Sequence, residues 1–148
     1  MTDEGKIYRI SGPVVTATGI DAKMYEVVRV GHEKLMGEVI EIHGDQSVIQ
    51  VYEDTSGIRP GEPVFSTGQT LSVQLGPGLL TEIYDGIQRP LQTLEEVMGV
   101  FITRGVDADG LNLEKKWDFE ATAAVGDEVK GGQVIGTVQE TDTITHKI

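Results

Sequence analysis

Glu38-Val-Ile-Glu-Ile-His-Gly-Asp-Gln-Ser-Val-Ile-Gln-Val-Tyr52 decides the fold of this chain. Ile40 and Ile42 alternate with Glu41 and His43, the period of two that sends successive side chains to opposite faces of a strand. Gly44-Asp45 follows as a turn signal, and Ser47-Val-Ile-Gln-Val-Tyr52 resumes as the return strand of a hairpin. On the N-terminal side, Tyr25-Glu-Val-Val-Arg-Val30 is rich in strand formers. Gly31 and Gly37 bracket its connection into the hairpin. Further back, Lys6-Ile-Tyr-Arg-Ile10 starts the first strand, Ser11-Gly-Pro13 bends it, and Val14-Val15 continue. On the C-terminal side, Thr55-Ser-Gly57 and Arg59-Pro-Gly61 punctuate the exit, and Val64-Phe65 and Leu71-Ser-Val73 supply two more short strands. About six strands at this spacing predict a small barrel, because closure removes exposed sheet edges.

Composition narrows the function classes. With 148 residues there is room for one medium domain or two small ones. Glycine, at 19 residues, exceeds the average of about 7% and implies many tight turns. There is no cysteine, so disulfides and thiolate metal sites are excluded and the fold rests on packing. No apolar run approaches the roughly 18 residues of a membrane span. Met1-Thr-Asp-Glu-Gly5 lacks the basic and apolar blocks of a signal peptide. The net charge of −12 argues against non-specific nucleic-acid binding, which needs clustered Lys and Arg. The one adjacent basic pair, Lys115-Lys116, has Glu114 beside it.

Beyond residue 75 the pattern changes. Pro90 fits the first turn of a helix, where its missing N–H is not needed. Leu91, Leu94, Val97 and Met98 recur at helical spacing, and Gly99 can terminate the run. A helix this short requires a partner surface for its apolar face. From Val106 onward short strands return. Trp117 and Phe119 alternate with Asp118 and Glu120 as a half-buried strand anchoring a small core, and Val125-Gly-Asp-Glu-Val-Lys-Gly-Gly-Gln-Val-Ile-Gly-Thr-Val138 reads as a compact β module.

The chemical motifs point away from catalysis within this chain. Gly-x-x-x-x-Gly-Lys followed by Ser or Thr does not occur. Gly126-Asp-Glu-Val-Lys-Gly-Gly132 lacks the lysine at the end of such a loop and precedes a strand-like run instead of a helix, so no phosphate cradle is assembled. The same glycines resemble one hairpin of the biotinyl and lipoyl carrier fold. Those carriers present a modifiable lysine within Met-Lys-Met or Asp-Lys-Ala, which are absent here, and the first lysine after Gly132 is Lys147. A structural barrel-sandwich module is therefore the stronger reading. His32, His43 and His146 are too scattered for a metal site and read as surface or hairpin residues. Asp107, Asp109 and Gly110 cover part of a calcium loop but lack the full ligand pattern, so a turn is the better assignment. Glu38, Glu41, Glu53, Asp54, Glu95 and Glu96 read as solvated carboxylates with nothing pairing them for acid–base work. Trp117 reads as a core residue. No catalytic, cofactor-binding or metal-ligating residue is expected in the chain.

Leu75-Gly-Pro-Gly-Leu-Leu-Thr-Glu-Ile-Tyr-Asp-Gly-Ile-Gln-Arg-Pro-Leu91 carries the most specific signal. It closely resembles the segment of the catalytic A subunits of archaeal A-type and vacuolar V-type rotary ATPases that leads out of an N-terminal barrel. Gly5-Lys-Ile7, Ser11-Gly-Pro-Val14, Arg59-Pro-Gly61, Lys116-Trp117-x-Phe119 and Gly136-Thr-Val-Gln-Glu140 agree in order. Thr81 and Tyr84 depart from it, standing where glycine and phenylalanine are frequent. The short N-terminus suggests the archaeal branch.

The resemblance implies a mainly β chain in three parts. Residues 1–75 would be a six-stranded barrel of the crown, and 76–105 a connector with a short helix that docks on a nucleotide-binding domain. Residues 106–148 would be part of the insertion known as the bulge or non-homologous region, a second glycine-rich β module. The implied partners are B subunits in an alternating three-plus-three ring, peripheral-stalk subunits at the bulge, and the central stalk through a part beyond Ile148. The implied place is peripheral, on the cytoplasmic side of the cell membrane. The phosphate loop and the ATP or ADP with Mg2+ that it binds are expected beyond Ile148, for ATP synthesis or hydrolysis coupled to proton or sodium transport. A stand-alone carrier or binding module without a modified lysine is the alternative. Without the missing domain, Leu79, Leu80, Ile83, Leu91 and Leu94 would be partly uncovered, and 76–105 would be the least protected stretch.

Overall fold

Strand-forming residues at alternating positions close a barrel over the first half of the chain. The structure, a computed structural model, describes residues 3–99, 103–106 and 108–148. Six antiparallel strands, β1 (Glu4–Ser11), β2 (Val14–Thr18), β3 (Glu26–Val30), β4 (Leu35–His43), β5 (Gln46–Val51) and β6 (Pro63–Thr70), pair in the order β1-β2-β5-β4-β3-β6. The pairing of β6 with β1 closes the ring. Ile7, Val15, Ala17, Val28, Val30, Leu35, Val39, Ile49, Val51 and Val64 fill the interior, with Ile20 and Ile58 from the connections. At about 25 cal/mol per Å² of apolar surface removed from water, such a core is the main stabilising term for this unit.

The decisive hairpin is β4–β5, with His43 opposite Gln46 and Gly44 taking the positive φ (62°) of the two-residue loop. Its buried face differs from the simplest reading of the sequence. Leu35, Gly37 and Val39 point inward, whereas Ile40 and Ile42 are 40% and 38% exposed. A register shift between Val39 and Glu41 inserts Ile40 as an extra residue and swings the end of β4 clear of the core. Gly37 therefore lies within β4 instead of bounding a connection, and a Cβ there would stand 2.7 Å from Ile49 Cγ2. Ser11-Gly-Pro13 does more than bend a strand. It reverses the chain, with Ser11 paired to Val14 across a two-residue loop. Leu71-Ser-Val73 forms no strand, because β6 already supplies the sixth stave through Thr70.

The chain divides into two units, Met1–Ser72 with Phe101–Val106, and Val73–Val100 with Asp107–Ile148. The second contains a 3₁₀ turn (Leu79–Thr81), α1 (Leu91–Met98) and a sheet of β7 (Phe119–Ala121), β8 (Gly136–Thr141) and β9 (Ile144–Lys147) in that order. Pro90 is the residue before α1, with φ −66°, and Gly99 ends the helix with φ 72° and an N–H bonded to Glu95 O. Of the helix's apolar residues Leu94 is buried, while Leu91 and Val97 are 43% and 67% exposed. Leu94 is thus covered, contrary to expectation, whereas Leu80 and Ile83 are 60% and 65% exposed. Along β8, Gly136, Val138 and Glu140 are buried on one face and Gln139 is exposed on the other. Trp117 precedes β7 and is half-buried, and Phe119 is 50% exposed with its ring against Gly136.

Candidate functional site: buried carboxylates and the Leu75–Leu91 segment

The polar organisation of the second unit centres on Glu140. Its position on the buried face of β8 leaves the side chain with 0% exposure. A charge so placed must find donors or neutralise. Oε1 accepts the N–H groups of Gly78 (2.9 Å) and Leu80 (3.2 Å), and Oε2 lies 3.2 Å from His146 Nδ1 on β9. Burial pushes the Glu140 pKa up, but the Gly78, Leu80 and His146 bonds together outweigh it and hold the group below the ordinary carboxylate range. The Trp117 ring lies beside Gly78, and Lys115 Nζ sits 4.0 Å above that ring.

A few residues on, Asp85 builds a loop locally. Its Oδ1 accepts the N–H groups of Ile87 (3.0 Å) and Arg89 (2.9 Å), and its Oδ2 pairs with Arg89 Nε at 2.8 Å. Despite the opposing effect of burial, these donors lower the Asp85 pKa. Tyr84 and Pro90 bridge across the loop. Gln88 then imitates a strand partner: its side-chain amide exchanges two 2.6 Å hydrogen bonds with the backbone of Gln74. Gln74 in turn accepts Leu111 N–H at 3.0 Å and reaches Asp109 at 3.3 Å.

Comparable clamps order the barrel unit. Glu26 is buried at 4% exposure and accepts Lys23 N–H (2.9 Å), Gly68 N–H (3.0 Å) and the Ser66 hydroxyl. Burial alone would raise its pKa, yet those donors leave it lowered. Glu53 joins Met36 N–H (3.1 Å) to Gly105 N–H (2.8 Å). Arg104 donates to the carbonyls of Asp54 (2.9 Å) and Ser56 and pairs with Glu33 at 3.0 Å.

The sequence reading missed this role for acidic residues. Glu53 is a backbone clamp and not a solvated carboxylate, and Glu38 accepts the Tyr52 hydroxyl at 2.8 Å. His43 lies at the β4–β5 hairpin as expected, 65% exposed, whereas His146 is 23% exposed and faces Glu140. Asp107 lies outside the described residues; Asp109 is exposed and bonded to Gln74. Glu26, Glu53, Asp85 and Glu140 are occupied by backbone donors, which suits them to shaping the chain. An open cleft of about 390 Å³ in the second unit is lined by Glu82, Gln92, Glu96, Asp109 and Asn112 among others, with no Lys or Arg to meet a phosphate. Among the described residues no group of three or more His, Cys, Asp or Glu is placed to hold a metal ion.

Family models and relatives agree on what this architecture is. Residues 7–68 match the β-barrel domain of the ATP synthase alpha/beta family, and residues 108–148 match the ATP synthase alpha/beta subunit barrel-sandwich domain. The whole chain is 64% identical over 148 residues to the A subunit of the A-type ATP synthase of Methanosarcina barkeri, covering 26% of that protein. Identity is 62% over 148 residues to the same protein of Halobacterium salinarum, covering 25% of it. The chain belongs to the ATP synthase alpha/beta family. Within it, the chain corresponds to an N-terminal segment of the A-type enzymes' A subunit, and it spans about a quarter of the length of the curated relatives it matches. Family likeness extends to a solved structure, the assembled ATPase EscN of the enteropathogenic E. coli type III secretion system. That chain is 29% identical with a TM-score of 0.54, over 58% of this chain and 21% of EscN. Membership in the alpha/beta family does not favour the carrier alternative, and Lys147 stands within β9 instead of at a hairpin tip.

Proposed function

We propose that this chain is the assembly-forming part of the catalytic A subunit of an ion-translocating A-type ATP synthase. The observation that carries the reading is similarity over the full chain, at 60–65% identity, to proteins of that name. Residues 1–75 serve as the crown barrel, residues 76–105 as the connector to a nucleotide-binding domain, and residues 106–148 as part of the bulge. The barrel supports this: closed hydrogen bonding makes a stiff rim for a ring. Exposed Leu75, Leu80, Ile83 and Leu91 support a connector that is covered by further protein. B subunits alternate with the catalytic ones in a three-plus-three ring, the bulge meets the peripheral stalk, and the central stalk meets another part of the catalytic polypeptide. The complex sits peripherally on the cytoplasmic side of the membrane.

Catalysis, with ATP or ADP and Mg2+, belongs to the rest of that polypeptide, because a phosphate cradle needs the glycine loop and lysine that this sequence lacks. Two measurements test the division. The isolated 148-residue chain is expected neither to bind Mg2+-ATP calorimetrically nor to hydrolyse it, yet to associate with co-expressed B subunits in native mass spectrometry. Hydrolysis by the chain alone would overturn the reading, and so would a biotinyl or lipoyl adduct in its intact mass.

A further inference from the structure

One side chain ties the β8–β9 hairpin to the turn that opens the Leu75–Leu91 segment. The Glu140 carboxylate holds the amides of Gly78 and Leu80 with one oxygen and faces His146 with the other. We propose that Glu140 is a positioning residue, a latch through which the β8–β9 hairpin sets the conformation of the Gly78–Leu80 turn.

The latch has two states for a physical reason. While the carboxylate is ionised and buried, releasing the turn would strand a charge away from water, so hairpin and turn move together. Once the hairpin is displaced far enough to hydrate the carboxylate, nothing further holds the two amides to it. Leu79 and Leu80 belong to this turn and Ile83 lies just beyond it, so the latch governs how those apolar side chains are presented. The titratable groups that interact with Glu140 among the described residues are His146 on β9 and Tyr84 on the Leu75–Leu91 segment; Glu82 acts on Tyr84, and Lys115 lies over the Trp117 ring beside Gly78. The Tyr84 hydroxyl is buried without a hydrogen-bond partner among the described residues, so the turn's surroundings already carry an unsatisfied polar group. Gly78, Leu80, Glu140 and His146 all belong to the second unit.

Amide hydrogen exchange of the chain, resolved by NMR and corrected for intrinsic rates, tests it. Glu140→Ala is expected to speed exchange at Gly78 and Leu80 on the order of tenfold or more, as loss of charge-assisted hydrogen bonds implies. The barrel amides of Val28 and Ile49 should stay at wild-type protection. His146→Gln should speed the same two amides by a smaller factor, although His146 bonds neither of them. Glu140→Gln covers the case in which the alanine variant does not fold. Wild-type protection at the two amides should hold from neutral pH down to about pH 4.5 and fall as the pH drops below it, while the glutamine variant loses this dependence. Unchanged exchange at Gly78 and Leu80 in both Glu140→Ala and His146→Gln would overturn the latch. An equal acid response in wild type and Glu140→Gln would overturn it as well.

Discussion

Gly105 shows what a single residue decides here. Its φ is 70°, its N–H is held by Glu53, and a Cβ would stand 1.8 Å from the Glu33 carbonyl oxygen. Gly105→Ala must therefore displace either its own segment or the loop containing Glu33. The expected cost is about 2–3 kcal/mol in the barrel's unfolding free energy, read by urea denaturation. A wild-type midpoint in that variant would show that the 103–106 segment is not seated on the barrel. The residue-scale clamps differ in how far they were legible. Asp85-Gly-Ile-Gln-Arg89 is a local device, an aspartate bonding its own chain two and four residues on, and its pattern is open to reading from sequence. Glu26 and Glu140 are not, because apart from Lys23 and His146 their partners lie 40 or more residues away in the chain. Nothing local distinguishes such a glutamate from a solvated one.

Among the elements, the β4–β5 hairpin was legible because turn and alternation coincide in one stretch. Its register was not: the alternation of Ile40 and Ile42 with Glu41 and His43 gives no sign of the bulge that leaves both isoleucines exposed and Val39 inward. A one-residue shift exchanges the faces of a strand, and the hydrophobicity of Val and Ile is too alike to forbid it. The helix was legible from its spacing, yet spacing could not rank its apolar residues. Leu94 is 5% exposed, and Leu94→Ala is expected to destabilise the second unit by about 2–4 kcal/mol. Leu91→Ala and Val97→Ala should each stay within about 0.5 kcal/mol in the isolated chain. Thermal unfolding of the three variants tests this, and equal losses would mean that the helix packs on a different face. Within 76–105, expected to be the least protected stretch, protection should vary from residue to residue. Gly78, Leu80, Ile87, Arg89, Leu91 and Leu94 have acceptors for their amides, so slow exchange belongs at those positions.

At the scale of the whole molecule, the buried carboxylates make acid stability a shared property. Glu26, Asp85 and Glu140 all have pKa values lowered in the folded state. A depressed carboxylate pKa contributes stability that is fully present above its unfolded value of about 4 and is lost as pH falls through the folded value. Protonation also relieves the repulsion of a −12 net charge. That relief is the weaker effect, since most of those charges are exposed and screened by salt. The urea midpoint at 0.15 M salt should therefore hold steady through neutral pH and fall below about pH 4.5. A combined Glu26→Gln, Asp85→Asn and Glu140→Gln variant should be less stable near pH 7 and show a flatter acid limb. An acid limb as steep as wild type would assign acid unfolding to other groups.

By itself the sequence determined the family, the closed six-stranded barrel, the short helix and the lack of a phosphate loop. Each rests on local order: alternation, turn residues, helical spacing or a contiguous motif. Only the tertiary structure decided which face of β4 is buried, that residues 73–100 cluster with 107–148, and that Glu140 holds the turn at Gly78. The reason is the same in each case. Burial and hydrogen bonding join residues distant along the chain, and a carboxylate's role is set by the donors that folding brings to it.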